Sequence, residues 1–158
     1  MMKKHSFEID REALIGFTQN LIQAPSLSMQ EEDAAKLVAK KMQEIGFDEV
    51  VIDPIYNVVG HIYGDDPEPE LIFNGHIDHV PPGDMPEPYS GEIADGSKYR
   101  VKGQVIEGRG ACDMKAAVAS MIYGKGPERK RGHIQEDLCN DRCCARRDGQ
   151  RRRDFEAA

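Results

Sequence analysis

An alternation of helical and strand patterns along the first four fifths of the 158-residue chain constrains its fold most strongly. Apolar residues at helical spacing predict amphipathic helices over 10–23 and 28–45, the second opened by a capping box of Ser28 and Glu31. The short apolar run 71–73 predicts a buried central strand. Helices that alternate with buried strands indicate the α/β class, here a three-layer sandwich around a central mixed sheet.

The other patterns before the final segment fit the same class. Residues 49–64 predict two short strands around a turn, 90–110 predict a hairpin, and 113–125 predict the start of a helix. The single cysteine of this part, Cys112, is expected to be a small packing residue and not a metal ligand. The sequence shows no apolar signal segment and no run long enough to span a membrane, so the expected compartment is the reducing cytoplasm.

A polar segment directly after the run 71–73 carries the first candidate site. The segment is "NGHIDHV", residues 74–80, at the C-terminal end of the predicted strand, where sites in open α/β sheets lie. His76 and Asp78 are two positions apart, so both can face one side of an extended chain. An imidazole is a good zinc ligand and a carboxylate can fix its tautomer, although a polar turn without any metal would carry the same residues.

The second candidate is Asp113 in "EGRGACDMK", at the start of the predicted helix. Taken alone, Asp113 fits an ordinary N-cap, because Asp is a preferred capping residue. Asp113 lies 35 positions after Asp78, and the chain also contains "YNVVG" and "YSGEIADG". Together with His76, these features form a specific arrangement. Over residues 8–124 the chain resembles the co-catalytic zinc amidohydrolases, a family that includes succinyl-diaminopimelate desuccinylase, acetylornithine deacetylase, aminoacylase and glutamate carboxypeptidase.

The resemblance implies a role for each matched residue. His76 would bind one metal, Asp78 would orient His76 as a catalytic residue, and Asp113 would bridge two metals and precede a cis peptide bond. It implies two zinc ions per site, replaceable by cobalt or manganese, and a peptide or N-acyl amino acid as substrate. The resemblance is also compatible with a homodimer of the complete protein, and it implies no membrane partner. His61 and His79 have no counterpart in this pattern and are expected to be ordinary polar residues.

Several parts of the family's site have no counterpart in the sequence. A Glu-Glu pair is expected roughly 34 positions after the bridging Asp, its first member as the general base and its second as a metal ligand. A later acidic ligand, a second histidine and a lid domain are also missing. The chain is therefore expected to be an incomplete catalytic domain without activity, and the alternative is a non-catalytic metal-binding fragment.

The segment 126–158 differs in character from the domain 1–125. Residues 1–124 hold 11 Lys and Arg against 21 Asp and Glu, whereas residues 125–158 hold 10 against 7. The large apolar residues of 126–158 are too few to offset the entropy of ordering, so this tail is expected to be disordered. A nucleic-acid arm is disfavoured because the tail lacks interleaved aromatic residues. A zinc knuckle is disfavoured by ligand spacing that matches no usual pattern, its candidates being His133, Cys139, Cys143 and Cys144.

A shifted reading frame accounts for the tail best. With allowed codons, "LCNDRCCARRDG" (138–149) read one base later gives Y-V-M-T-G-V-V-Q-E-E-M-A. That peptide is an apolar strand followed by Glu-Glu. The two glutamates fall at Arg146 and Arg147, which are 33 and 34 positions after Asp113. The missing pair thus appears at its expected spacing.

Overall fold

The structure is a computed structural model that describes residues 9–64, 70–124 and 133–138. These residues form three α-helices and six strands, arranged as α1 (Arg11–Gln23), α2 (Glu32–Ile45), β1 (Glu49–Ile52), β2 (Val58–Ile62), β3 (Glu70–Gly75), β4 (Ile93–Asp95), β5 (Gln104–Ile106), α3 (Ala116–Tyr123) and β6 (His133–Leu138). One sheet has the order β1-β2-β6-β3, and β4 pairs with β5 as a separate hairpin. The first sheet is mixed, since β6 is antiparallel to β2 and parallel to β3. The predicted α/β class with a mixed sheet is confirmed.

The start of α1 and the end of α2 are set by local contacts and backbone conformation, as predicted, whereas the start of α2 is not. Asp10 caps α1 by accepting the N–H of Ala13 at 3.0 Å, and α2 ends as predicted at Gly46, in the left-handed conformation. The predicted capping box is wrong: α2 begins at Glu32, and the Glu31 carboxylate accepts the N–H of Met29 at 2.7 Å. Among the described helices none combines the length and apolar character that crossing a membrane requires.

The core lies where the three helices pack against one another and the mixed sheet. The buried face of α2 is made of small and medium side chains, Ala34, Ala35, Val38, Ala39 and Met42. It belongs to one cluster with Val58 and Ile62 of β2 and with Val118 and Ile122 of α3. Each large apolar side chain buried in this way contributes about 1.5–3 kcal/mol. The packed helices and sheet therefore form the rigid frame on which the loops that follow β3 and β5 are held.

The strand β3 differs from the prediction of a buried central strand. Its residues Leu71, Ile72 and Phe73 are 52%, 51% and 37% exposed. Within the described part of the chain β3 pairs only with β6, so its other edge has no neighbouring strand there. The predicted strand is confirmed but its predicted burial is wrong, because β3 lies at the edge of the sheet in the described part of the chain.

One strand falls inside the tail that was expected to be disordered. The strand β6 lies between β2 and β3, and its last residue, Leu138, pairs with Gly75 at the end of β3. For residues 133–138 the structure therefore differs from the prediction, because open edges of β2 and β3 are available to a further extended segment. Residues 126–132 and 139–158 lie outside the described residues, where the expected disorder stays a prediction.

Candidate functional site

The candidate site lies at the C-terminal edge of the mixed sheet. The strand β3 ends at Gly75, and the chain continues through the polar segment that begins with His76. That segment is held from the side by the loop after α1, through a parallel bridge between Leu27 and His79. The site therefore follows a parallel strand pair at the edge where α/β sheets place their binding residues.

His76, Asp78 and Asp113 converge there, as their spacing predicts. The Nδ1 atom of His76 lies 3.1 Å from Oδ1 of Asp78 and 3.2 Å from the Asp78 backbone oxygen. The Nε2 atom of His76 lies 3.0 Å from Oδ1 of Asp113. Both ring nitrogens thus face acceptor oxygens, so the ring is placed to donate from Nδ1 to Asp78 and to hold either a proton or a cation between Nε2 and Asp113. Asp78 is 4% exposed, whereas the Asp113 side chain is 89% exposed.

The charges around His76 favour its protonated form. Partial burial lowers the pKa of His76, but this is outweighed by hydrogen bonds to Asp113 and to the Asp78 backbone and by the two nearby carboxylates, so the pKa is raised overall. A cation at this position would replace the second proton of the imidazole and face the same carboxylate. The pair His76 and Asp113 is therefore arranged to share one positive charge.

Asp113 stands in a wide turn, Ala111–Lys115, before α3 begins at Ala116. It is not the N-cap of α3, because that position is Lys115 and no side chain caps the helix. The Asp113–Met114 peptide bond is cis, as the family resemblance implies. Cys112, expected to pack inside, is exposed, so that prediction is wrong, because the turn directs its side chain outward.

Two further groups behind the site were not singled out by the sequence as part of it. Lys115 is 1% exposed, and its ammonium group donates to the backbone oxygens of Leu21 and Ala24 at 2.7 Å each, at the end of α1. Burial lowers the pKa of Lys115 to about 8, against the opposing effect of the Asp78 carboxylate. A lysine within a helix-start motif gives no sign from sequence alone that it is buried.

The second group is His79, which was expected to be an ordinary polar residue but is 5% exposed. Its Nδ1 donates to the Val80 backbone oxygen at 2.9 Å, and its Nε2 accepts the N–H of Ser26 at 2.9 Å. This pattern fixes a neutral imidazole. Burial, with the charges of Lys115 and Arg109, lowers the pKa of His79, although its bond to Val80 opposes the change.

We expect acid to weaken the fold through His79. A proton on Nε2 would break the bond from Ser26, and the folded chain binds that proton less readily than the unfolded chain does. The stability from neutral His79 is present above its ordinary pKa of 6.5 and is lost as pH falls below it. Urea unfolding at several pH values from 5 to 8 should show a larger acid loss for the natural chain than for His79→Gln. An identical pH dependence in both would contradict the assigned tautomer.

The residues present fit part of a metal site. Two ligands of one tetrahedral zinc ion, bound at about 2.0–2.1 Å, lie roughly 3.3 Å apart, close to the 3.0 Å between His76 Nε2 and Asp113 Oδ1. Asp78 supplies the carboxylate that orients a ligating imidazole. Among the described residues no group of three or more His, Cys, Asp and Glu side chains is arranged to hold an ion. The described chain thus offers two ligands of a site that needs three or four.

Comparison with known proteins finds similar sequences in one peptidase family. Residues 72–124 match the sequence model of peptidase family M20/M25/M40. The succinyl-diaminopimelate desuccinylase of Xanthobacter autotrophicus is 38% identical over 112 residues, which cover 65% of this chain and 27% of the relative. The same enzyme of Granulibacter bethesdensis is 34% identical over 113 residues, covering 68% of this chain and 27% of the relative. The chain thus spans about a quarter of the length of these curated relatives.

Solved structures share the fold. A tripeptidase from Staphylococcus aureus aligns with a TM-score of 0.62 at 20% identity, over 82% of this chain and 36% of that one. A dinuclear metal-binding peptidase of the M20 family from Bacillus subtilis aligns with a TM-score of 0.59 at 20% identity, over 80% and 34% of the two chains. The described helices and strands are therefore those of one part of a larger domain in these proteins.

Proposed function

We propose that this chain is part of a metal-dependent hydrolase of amide bonds, because its residues 72–124 match the sequence model of peptidase family M20/M25/M40. The proposed substrates are small peptides or N-acyl amino acids, in keeping with the desuccinylases to which it is similar. The observation that carries the proposal is the pairing of His76 Nε2 with Asp113 Oδ1 at 3.0 Å, with Asp78 behind the imidazole.

Each of the three residues has a distinct task in this proposal. His76 would hold a metal through Nε2, and Asp113 would hold it through its carboxylate. Asp78 keeps the proton on Nδ1 of His76, so the lone pair of Nε2 faces the metal. A zinc ion bound there supplies Lewis-acid polarisation of the amide carbonyl and lowers the pKa of water. Cobalt and manganese are the proposed substitutes.

The chain lacks the group that would move protons during hydrolysis. A general base has to lie within hydrogen-bond reach of the water that attacks the amide, and the sequence supplies no Glu-Glu pair at the expected position. We propose that this pair is encoded in the shifted frame of the tail. In its present frame the chain is proposed to bind metal weakly and to be inactive.

A cobalt titration tests the metal site. We expect the purified chain to give a weak d–d absorption on addition of Co²⁺, and His76→Gln and Asp113→Asn to lower the affinity about tenfold or more, since even the orienting partners of metal ligands contribute 10- to 100-fold. His61→Gln, a change of a histidine in β2, is the matched control and should bind as the natural chain does. Equal cobalt binding by all four proteins would refute the assigned ligands.

A hydrolysis assay on the same preparations tests the second half of the proposal. With zinc, cobalt or manganese added, N-succinyl and N-acetyl amino acids should stay intact, because no general base is available. Robust, metal-dependent turnover by the present chain would show that the base lies elsewhere in it.

A further inference from the structure

The loop after α1 is fixed to the site segment by backbone and hydroxyl contacts. The hydroxyl of Ser26 donates to the Ile77 backbone oxygen at 2.7 Å, and the N–H of Ser26 donates to Nε2 of His79 at 2.9 Å. The N–H of His79 returns a bond to the Ser26 backbone oxygen at 2.9 Å. Ser26 itself is fully buried. Residues 26–28 therefore lie along residues 77–79 like a short additional strand.

Ser28, the last residue of that stretch, reaches the site directly. Its hydroxyl donates to Oδ2 of Asp78 at 2.6 Å, a distance typical of a charge-assisted bond. The other carboxylate oxygen, Oδ1, faces Nδ1 of His76 at 3.1 Å. Both oxygens of the buried Asp78 carboxylate are thus engaged, one by Ser28 and one by His76. The order of contacts is Ser28, Asp78, His76 and Asp113.

We infer that Ser28 is a positioning residue of the site, which fixes the Asp78 carboxylate so that His76 keeps its proton on Nδ1 and turns Nε2 toward Asp113. The consequence of this inference for metal affinity rests on the proposed function, but the effect on the imidazole does not. The hydroxyl of Ser28 bonds Asp78, so any effect of Ser28 on His76 passes through Asp78.

The alternative task for this hydroxyl, capping α2, is excluded by geometry. The N-terminal residue before α2 is Glu31, and no side chain caps the helix. The Glu31 carboxylate is used by the N–H of Met29. The bond of Ser28 to Asp78 is therefore the recorded use of its hydroxyl, and its loss would be felt at the site and not at the helix.

The surroundings of Asp78 explain why one hydroxyl matters. Asp78 is almost wholly buried, and a buried carboxylate oxygen without a donor is costly. The nearby positive charge is that of Lys115, whose ammonium group interacts electrostatically with Asp78 while it donates to the end of α1. Without Ser28, Oδ2 would turn toward this ammonium group or toward entering water, and Oδ1 would leave its place opposite Nδ1 of His76.

Long-range ¹H–¹⁵N NMR of the histidine rings tests the inference on the metal-free full chain. The spectra are recorded at a pH above the titration of His76 observed in the same spectra, and His76 is identified by the signals lost in His76→Gln. The natural chain and Ser28→Thr, which keeps the hydroxyl, should show the same ratio of Nδ1–H to Nε2–H forms, set by the competing acceptors Asp78 and Asp113. In Ser28→Ala the ratio of Nδ1–H to Nε2–H forms should fall about fivefold, the effect of one typical hydrogen bond. An unchanged ratio in Ser28→Ala would overturn the inference.

Ser26→Ala is the matched control, since it removes a hydroxyl from the same stretch that bonds the Ile77 backbone and not Asp78. If Ser26→Ala shifts the tautomer ratio as far as Ser28→Ala, loosening of the loop explains the effect and the inference is wrong. Should Ser28→Ala not fold, Ser28→Cys keeps the side chain while weakening the donor, and the same shift is expected there.

Cobalt titration of the same samples separates this inference from the proposed function. Ser28→Ala should bind Co²⁺ about threefold more weakly than the natural chain, less than the loss for a direct partner of a ligand. If the natural chain binds no cobalt, the proposed metal site fails, yet the tautomer ratio still decides the role of Ser28. If cobalt binds and Ser28→Ala changes neither affinity nor tautomer, the metal site stands and the positioning role falls.

Discussion

Removal of one base near codons 124–126 is expected to give an active hydrolase from a chain that we propose to be inactive, provided that the frame so restored is expressed with its full continuation. The tail would be replaced by an apolar strand that ends in Gln-Glu-Glu. A general base alone contributes about 10²- to 10⁴-fold to such reactions, and the second glutamate would add a ligand to the two proposed, His76 and Asp113. Hydrolysis of N-acyl amino acids in the presence of zinc is the measurement.

The control for this experiment is a restored-frame protein in which the first glutamate of the pair is replaced by glutamine. It should fold and bind metal but hydrolyse its substrate slowly or not at all. The gene sequence tests the frameshift hypothesis before any protein is prepared. An Arg147 codon that begins with C cannot yield two consecutive glutamates in the next frame, and that result would end the frameshift hypothesis.

Gly108→Ala is expected to destabilise the folded chain by about 3–5 kcal/mol, from overpacking and backbone strain together. Gly108 has a φ of +153°, a conformation that side chains rarely adopt. A Cβ atom there would lie 2.3 Å from Cγ2 of Ile22 and 3.1 Å from the Pro88 oxygen. Because Ile22 is fully buried in α1, it has no room to move. The loss is a large share of the total stability of about 5–15 kcal/mol that small domains have.

Urea unfolding followed by circular dichroism measures this effect, and Gly83→Ala is the matched control. Gly83 also has a positive φ, of +63°, but no heavy atom lies within 4 Å of the position of its Cβ. Its substitution should therefore cost only the backbone term, about 1–2 kcal/mol. Similar losses in both variants would show that close packing between α1 and the loop before Asp113 contributes nothing.

The sequence predicts best those elements whose cause is local. Asp10 opens α1 and Gly46 closes α2 because a side-chain oxygen and a missing Cβ act within one helical turn. The Ser28–Glu31 capping box failed because the Ser28 side chain is directed to the Asp78 carboxylate, 50 positions away, to which its hydroxyl donates. A pattern of four consecutive residues cannot reveal a competitor so far along the chain.

The candidate site was likewise predictable only in part. The pairing of His76 with Asp78 follows from a spacing of two, and its meeting with Asp113 from the resemblance to a family. Burial of His79 and Lys115 could not be read from the sequence, because it depends on how α1 and its loop lie over the site segment. The exposed positions in β3 show the same limit, since a continuous apolar run is buried only where another layer covers it.

The stretch of Ser26 against His79 also has a consequence for how the molecule reaches its final form. The hydrogen bond from the N–H of Ser26 to Nε2 of His79 joins residues 53 positions apart, and the contact of His76 with Asp113 joins residues 37 positions apart. Closing such loops costs conformational entropy before any contact stabilises the closed form, whereas α1 and α2 are formed by residues that are neighbours in the chain. The site should therefore be the last part to assemble and the first to open. Amide hydrogen exchange at Ser26 and His79 would then report the completed molecule, and a metal that binds only the closed site would slow that exchange.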